Sequence, residues 1–364
     1  MALRRGCLRW GLGAVAALAL ATLVGAAVAV GPAQGTQRWT HGDRLAGAAG
    51  TALLALALGA LAVGWYRTTR GQRWYVRWPA ALAVLVGTAV VAEPATVAVW
   101  ASWPSHADLA GAPPAGALDV SIPAPGGVAL AGWYVPGRNG AGLVLAHGAS
   151  STRGSLTEHA AVLLADGFSV LLLDARGHGG SGGRPMDLGW WGEADLTAAV
   201  DWLAGRPEVA PGRIGLVGLS MGGEEALGAA GADPRVAAVV AEGATGRTAQ
   251  DKAAWLPRHA LGGVQRGMDA WRDVLVGALS DAPRPPSLGA AVARTRARVL
   301  LVTGARVPDE AAAARALQAA ALDRVEVWTV PDAGHVGGLA TDPAGWHRRV
   351  GGFLATALAP GPST

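Results

Sequence analysis

Hydrophobic positions divide this chain into two unlike parts. Near the N-terminus they run almost unbroken: residues 11–30 and 45–66 carry no charge, and residues 79–103 are interrupted only by Glu93 beside Pro94. About 20 apolar residues in a helix cross the hydrocarbon core of a bilayer, so these runs predict three transmembrane helices. From residue 118 onward the pattern changes to short apolar runs alternating with amphipathic ones. The runs at 118–122, 128–135, 143–146, 168–173, 213–219, 236–241, 298–303 and 324–330 read as strands. Those at 155–166, 192–204, 221–231, 309–321 and 342–358 read as helices. Alternation of this kind predicts an α/β fold whose mostly parallel sheet is covered by helices on both faces. Residues 105–117, rich in Pro, Gly and Ala, read as a linker between a membrane anchor over 1–104 and an α/β domain over 118–359. The alternation lapses between 244 and 295, an insertion that ends in the breaker run Ala282-Pro283-Arg284-Pro285-Pro286.

Charge sets an expected orientation. Arg4, Arg5 and Arg9 precede the first apolar run and Arg67, Arg70, Arg73 and Arg77 separate the second from the third, whereas only Arg38 and Arg44 lie between the first and second. After the third run no Lys or Arg occurs before Arg138. The positive-inside rule then puts the N-terminus and the 67–77 loop in the cytoplasm and the α/β domain outside, at the cell membrane. Residues 11–30 also read as a signal peptide, with Ala27-Val28-Ala29 as a cleavage site; cleavage would leave the orientation unchanged. Trp65, Tyr66, Trp74, Tyr75, Trp78, Trp100 and Trp103 gather at the ends of the runs, where interfacial aromatics belong.

Candidate chemistry centres on Gly218-Leu219-Ser220-Met221-Gly222, a G-x-S-x-G sequence between a buried strand and a helix of small residues. Such a turn exposes its serine above the sheet edge, and glycines two positions either side remove Cβ atoms that would collide. A serine hydroxyl is a weak nucleophile near neutral pH and needs a base, a group to orient the base, and N–H donors for the developing oxyanion. His335 follows the strand ending at 330, with Gly334 before it and Gly337-Gly338 soon after. His147-Gly148-Ala149 follows another strand and forms a turn able to aim the Ala149 N–H over Ser220, alongside that of Met221. A turn filler at Ser220 and a surface-loop histidine at 335 are the bland alternatives. Asp174, Arg176 and His178, like His147, read as loop supports.

The HG turn at 147–148, DARGHGGSGG at 174–183, the elbow at 218–222 and DAGH at 332–335 stand in an order that resembles the α/β-hydrolase superfamily, in its serine esterase and peptidase-like branch. The resemblance covers roughly residues 118–358 and implies an α/β-hydrolase fold with Ser220 as nucleophile and His335 as base. It also implies an acid just beyond the seventh strand, which ends at Gly304. Here the chain reads Ala305-Arg306-Val307-Pro308-Asp309-Glu310. Asp309 is the first choice for the acid, followed by Glu310, both of which also suit a helix's first turn for dipole reasons. Glu242, after the sixth strand, is the third, since some members carry the acid there. The superfamily often carries a lid between the sixth and seventh strands, which makes the insertion and the loop 185–191 expected walls of the substrate site.

Two functions follow as expectations. One is a membrane-anchored serine hydrolase that cleaves an ester, thioester or amide of a small-molecule acyl substrate, lipid and peptide included. The other is a non-catalytic binding or scaffolding module of the same fold at the membrane. No cofactor is expected: Cys7 is the single cysteine, which excludes an internal disulfide, and no Cys/His cluster has zinc-ligand spacing. The high pI arises almost wholly from arginine, with a single lysine among 30 basic residues. Seven of those arginines, at 4, 5, 9, 67, 70, 73 and 77, flank the apolar runs on the side expected to be cytoplasmic and none forms a basic stripe with interleaved aromatics, so nucleic acid is not an expected partner.

Overall fold

The computed structural model describes residues 20–28, 41–104, 109 and 111–360. Cys7, the arginines at 4, 5, 9 and 38, positions 11–19 and 29–30 of the first apolar run, and positions 105–108 and 110 of the linker lie outside the described residues. The chain divides into two compact units, one of residues 1–102 with 257–281 and one of residues 103–256 with 282–364.

In the first unit, residues 20–28 are helical and two 29-residue helices follow, His41–Thr69 and Trp74–Ser102. The Thr96 hydroxyl donates to the Gly25 carbonyl at 2.9 Å. The Trp74–Ser102 helix changes character along its length. Trp74, Trp78, Leu82, Leu85 and Val86 are exposed, whereas Ala92, Ala95, Ala98, Ala101 and Ser102 are buried. Small side chains let a neighbour approach closely, and the Ala260–Leu279 helix, from the middle of the insertion, packs against this one. On that helix the buried Arg272 bridges Asp269 at 3.2 Å and Asp273 at 2.8 Å. By length and composition one helix among the described residues, Trp74–Ser102, could cross a membrane. Of the two expected spans that the described residues cover, one meets this measure; the first run lies mostly outside them.

The second unit is built on an eight-stranded sheet: β1 (Leu118–Ala124), β2 (Val128–Val135), β3 (Gly142–Ala146), β4 (Ser169–Leu173), β5 (Ile214–Leu219), β6 (Val236–Glu242), β7 (Arg298–Gly304) and β8 (Val325–Val330). Their spatial order is β1-β2-β4-β3-β5-β6-β7-β8. The β1–β2 and β2–β4 pairs are antiparallel and all others parallel. β3, β4 and β5 are buried throughout, as the continuous apolar runs require of strands covered on both faces. Two clusters of apolar side chains fill the two sides. One packs Leu171, Leu216 and Val239 beneath the Gly192–Ala204 and Met221–Ala232 helices, and the other packs Leu145, Val217 and Val240 with Leu163, Trp346 and Leu354. Every expected strand is present with ends shifted by two residues at most.

The flanks of the insertion are helical at Ala249–Trp255 and Leu288–Arg294. The first begins with a capping box, in which Thr248 accepts from Asp251 N–H and the Asp251 carboxylate accepts from Thr248 N–H. These helices are too short for a 3.6-residue periodicity to stand out in the sequence.

Candidate active site

The C-terminal ends of β3, β5, β6, β7 and β8 carry every candidate side chain, which is where open parallel sheets place their sites. β5 delivers Ser220 into a sharp turn. Its backbone has φ 53° and ψ −118°, a conformation that costs a residue with a β-carbon on the order of 1–3 kcal/mol. Surrounding structure holds it there. Ser220 N–H donates to the Glu242 carbonyl at 2.7 Å, and its own carbonyl accepts from Gly223 and Glu224 N–H. The glycines are obligatory for contact: a Cβ on Gly218 would stand 2.1 Å from the Gly222 carbonyl oxygen, and one on Gly222 would stand 2.3 Å from that of Ala146.

Ser220 Oγ lies 2.8 Å from His335 Nε2, on the loop after β8. His335 Nδ1 lies 2.7 Å from Glu310 Oε1, so the imidazole bridges a hydroxyl and a carboxylate. The other Glu310 oxygen accepts from Gly304 N–H at 2.7 Å, which fixes the carboxylate at the end of β7. Hydrogen bonding to Glu310 raises the His335 pKa above its ordinary value; burial opposes the shift, and the Glu310, Glu224 and Glu242 charges add to it.

The structure brings Glu310, the second choice of acid, against His335, and not Asp309, the first choice. Asp309 is exposed and Glu310 fully buried, although they are neighbours in the first turn of the Pro308–Ala320 helix. Successive helical residues point about 100° apart, so only one of the two faces the imidazole. The helix starts at Pro308, and this phase turns residue 310 inward. Glu242, the third choice, bonds elsewhere. Its carboxylate accepts from Gly338 N–H at 2.7 Å and Trp346 Nε1 at 3.1 Å, and burial raises its pKa against both bonds. It holds the loop that bears His335.

Among the described residues neither Ala149 N–H nor Met221 N–H, the first of its helix, donates a hydrogen bond. The HG turn lies directly against the serine: a Cβ on Gly148 would stand 3.3 Å from Ser220 Cβ. His147 is buried and bonds within its own loop, its Nδ1 to the Gly148 carbonyl at 2.7 Å and its Nε2 from Ala175 N–H at 3.0 Å. Burial lowers its pKa to about 4, so it is neutral at pH 7. Asp174 is likewise a support, pairing with Arg153 and accepting Gly180 N–H at 2.8 Å.

Sequence reasoning missed Glu224, buried in the first turn after the elbow, whose carboxylate accepts from Thr245 and Gly246 N–H at 3.0 and 2.7 Å. It pins the loop leaving β6, and burial raises its pKa. A glutamate in a first helical turn carries no mark of this use. Among the described residues no cluster of His, Cys, Asp or Glu is arranged to hold a metal ion.

The chain is similar to known hydrolases. Residues 95–335, about two thirds of the chain, match the family model described as X-Pro dipeptidyl-peptidase (S15 family). The uncharacterized protein Rv2307c of Mycobacterium tuberculosis is 36% identical over 172 residues, 44% of this chain and 60% of that one. The chain thus spans less than two thirds of the length of that curated relative. The thiohydrolase aneE of Aspergillus aculeatus is 39% identical over 111 residues, 29% of this chain and 35% of that protein. Among solved structures, the Pyrococcus furiosus esterase Pf2001 superposes with a TM-score of 0.56 at 25% identity, over 71% of this chain and 100% of that one. With the sheet order, the strained turn at Ser220 and the family match in agreement, the chain has the fold of the α/β-hydrolase superfamily and belongs to the X-Pro dipeptidyl-peptidase (S15) family.

Proposed function

We propose that this protein is a membrane-anchored serine hydrolase that cleaves an ester, thioester or amide through an acyl-enzyme. The observation that carries this reading is the continuous relay from Ser220 Oγ through His335 to Glu310, with contacts of 2.8 and 2.7 Å, on a serine held at φ 53°. Ser220 Oγ attacks the substrate carbonyl carbon while its proton passes to His335 Nε2. The carbonyl π electrons move onto oxygen, and the Ala149 and Met221 N–H groups receive that oxyanion. Collapse breaks the bond to the alcohol, thiol or amine, which leaves with the proton from His335. Water then repeats the sequence on the acyl-enzyme, releasing the acid and restoring Ser220. Glu310 accepts from Nδ1–H throughout, which selects the tautomer with Nε2 free to take a proton and stabilises the imidazolium.

Relatives described as an esterase and a thiohydrolase support ester and thioester substrates, and the X-Pro dipeptidyl-peptidase family match supports amides. Anchoring is supported by the length and composition of Trp74–Ser102, by its exposed Trp78, Leu82 and Leu85, and by the arginines at 67, 70, 73 and 77. In this reading those arginines are cytoplasmic and the hydrolase unit is outside. The test is labelling with a fluorophosphonate: wild type should react and Ser220→Ala should not, with both folded by circular dichroism. Equal labelling of the two, or none of wild type, overturns the proposal in favour of a non-catalytic module.

A further inference from the structure

The turn that carries Ala149 is gripped from both sides. On its N-terminal side, His147 holds the Gly148 carbonyl. Carbonyl and N–H of one trans peptide point in opposite directions, so the Ala149 N–H is turned away from His147. On its C-terminal side, Ser150 has φ 53°, a left-handed conformation unfavourable for a residue with a β-carbon. Two bonds to one carboxylate hold it: Ser150 N–H donates to Asp187 Oδ1 at 3.0 Å, and Ser150 Oγ donates to Asp187 Oδ2.

Asp187 comes from the loop between β4 and the Gly192–Ala204 helix, 37 positions along the chain. It is fixed in turn by His178, which is buried and whose Nε2 lies 2.8 Å from Asp187 Oδ1. His178 Nδ1 lies 2.9 Å from the Arg176 carbonyl. Both partners of the ring are acceptors, so both nitrogens donate and the ring is cationic. The shifts agree with this geometry. Burial works to lower the His178 pKa, but the bond and charge of Asp187 leave it raised. Burial works to raise that of Asp187, but bonds from His178 and Ser150 leave it lowered. The His178 ring also packs edge-on against His147, centroids 5.3 Å apart, so the two grips on the turn form one assembly.

We propose that Asp187, held by His178, is a positioning residue for hydrolysis that fixes the Ala149 N–H for the oxyanion through its two bonds to Ser150. This rests on the serine-hydrolase reading above. It gives the 185–191 loop a catalytic use that a substrate wall does not require. Loss of the carboxylate frees Ser150 to leave its left-handed conformation, and the Ala149 peptide turns with it.

The experiment compares wild type, Asp187→Ala, Asp187→Asn and His178→Gln on p-nitrophenyl acetate, with inhibition by an aryl trifluoromethyl ketone, whose serine adduct bears an oxyanion. Removing one oxyanion donor outright costs about 10²- to 10³-fold in kcat, so misplacing one should cost Asp187→Ala about 10- to 100-fold. KM should stay within about threefold, and the ketone should bind more weakly by a factor similar to the loss in kcat/KM. Asp187→Asn keeps one acceptor and should lose less than the alanine variant; it also carries the test with His178→Gln if the alanine variant does not fold. A loss confined to KM, or unchanged kcat and ketone affinity in the folded variants, overturns the inference while leaving the serine-hydrolase reading intact. Wild type that does not react with a fluorophosphonate overturns both.

Discussion

Glu242 joins the two halves of the relay. Its backbone carbonyl accepts Ser220 N–H at 2.7 Å, and its carboxylate accepts the N–H of Gly338, three positions beyond His335. One residue at the end of β6 thereby sets the distance between nucleophile and base. Glu242→Gln should keep an acceptor for Gly338 but turn an amide N–H toward Trp346 Nε1–H, leaving a buried donor unpaired. Such a loss costs about 1–3 kcal/mol, which should appear in urea unfolding together with a fall in kcat smaller than that of any variant at Glu310.

The acid assignment is directly testable. Glu310→Gln should preserve the fold of the turn but favour the wrong imidazole tautomer, lowering kcat by up to about 10⁴-fold, as the corresponding amide does in serine proteases. Asp309→Asn should stay within a few-fold of wild type, because that side chain is exposed at the start of its helix. Steady-state rates on p-nitrophenyl acetate decide it, and a larger loss at Asp309 than at Glu310 would contradict the geometry.

The pH profile has a defined sign. His335 acts as a base only when neutral, and its pKa lies above the ordinary 6.5. The acid limb of kcat/KM should therefore turn above pH 6.5, with activity rising as pH increases through it. In Glu310→Gln the largest raising contribution is gone, so the residual activity should turn at lower pH than in wild type.

Gly218→Ala tests the elbow's packing. The new methyl would meet the Gly222 backbone at 2.1 Å, and no flexible side chain is there to move aside. Overpacking of this kind costs on the order of 1–3 kcal/mol or more, so the variant should show a lower unfolding midpoint as well as lost labelling.

Membrane orientation can be read from fusions. A reporter active only outside the cytoplasm should function after Thr364 and fail at Gly71, inside the arginine-flanked loop. The reverse pattern would place the hydrolase unit in the cytoplasm.

The sequence by itself determined the strands of the hydrolase unit and the nucleophile-bearing turn, because both are local. A period of two or a continuous apolar run states a strand's burial, and G-x-S-x-G states a local backbone demand, which the Glu242 carbonyl then helps to hold. The placement of His335 was legible for a related reason, since it follows Gly334 in the loop just after β8. The acid was not. Choosing Glu310 over Asp309 depends on where the Pro308–Ala320 helix starts and thus on its phase about the axis, which the Gly304 N–H settles from outside the helix. The insertion was legible only as an interruption: packing of Ala260–Leu279 against the small-residue face of Trp74–Ser102 joins segments more than 150 positions apart, beyond the reach of any periodicity. The same holds for Asp187, Glu224 and Glu242. Each serves the site through a hydrogen bond to a backbone group distant in sequence, and the chain pattern carries no trace of that bond until the sheet brings its ends together.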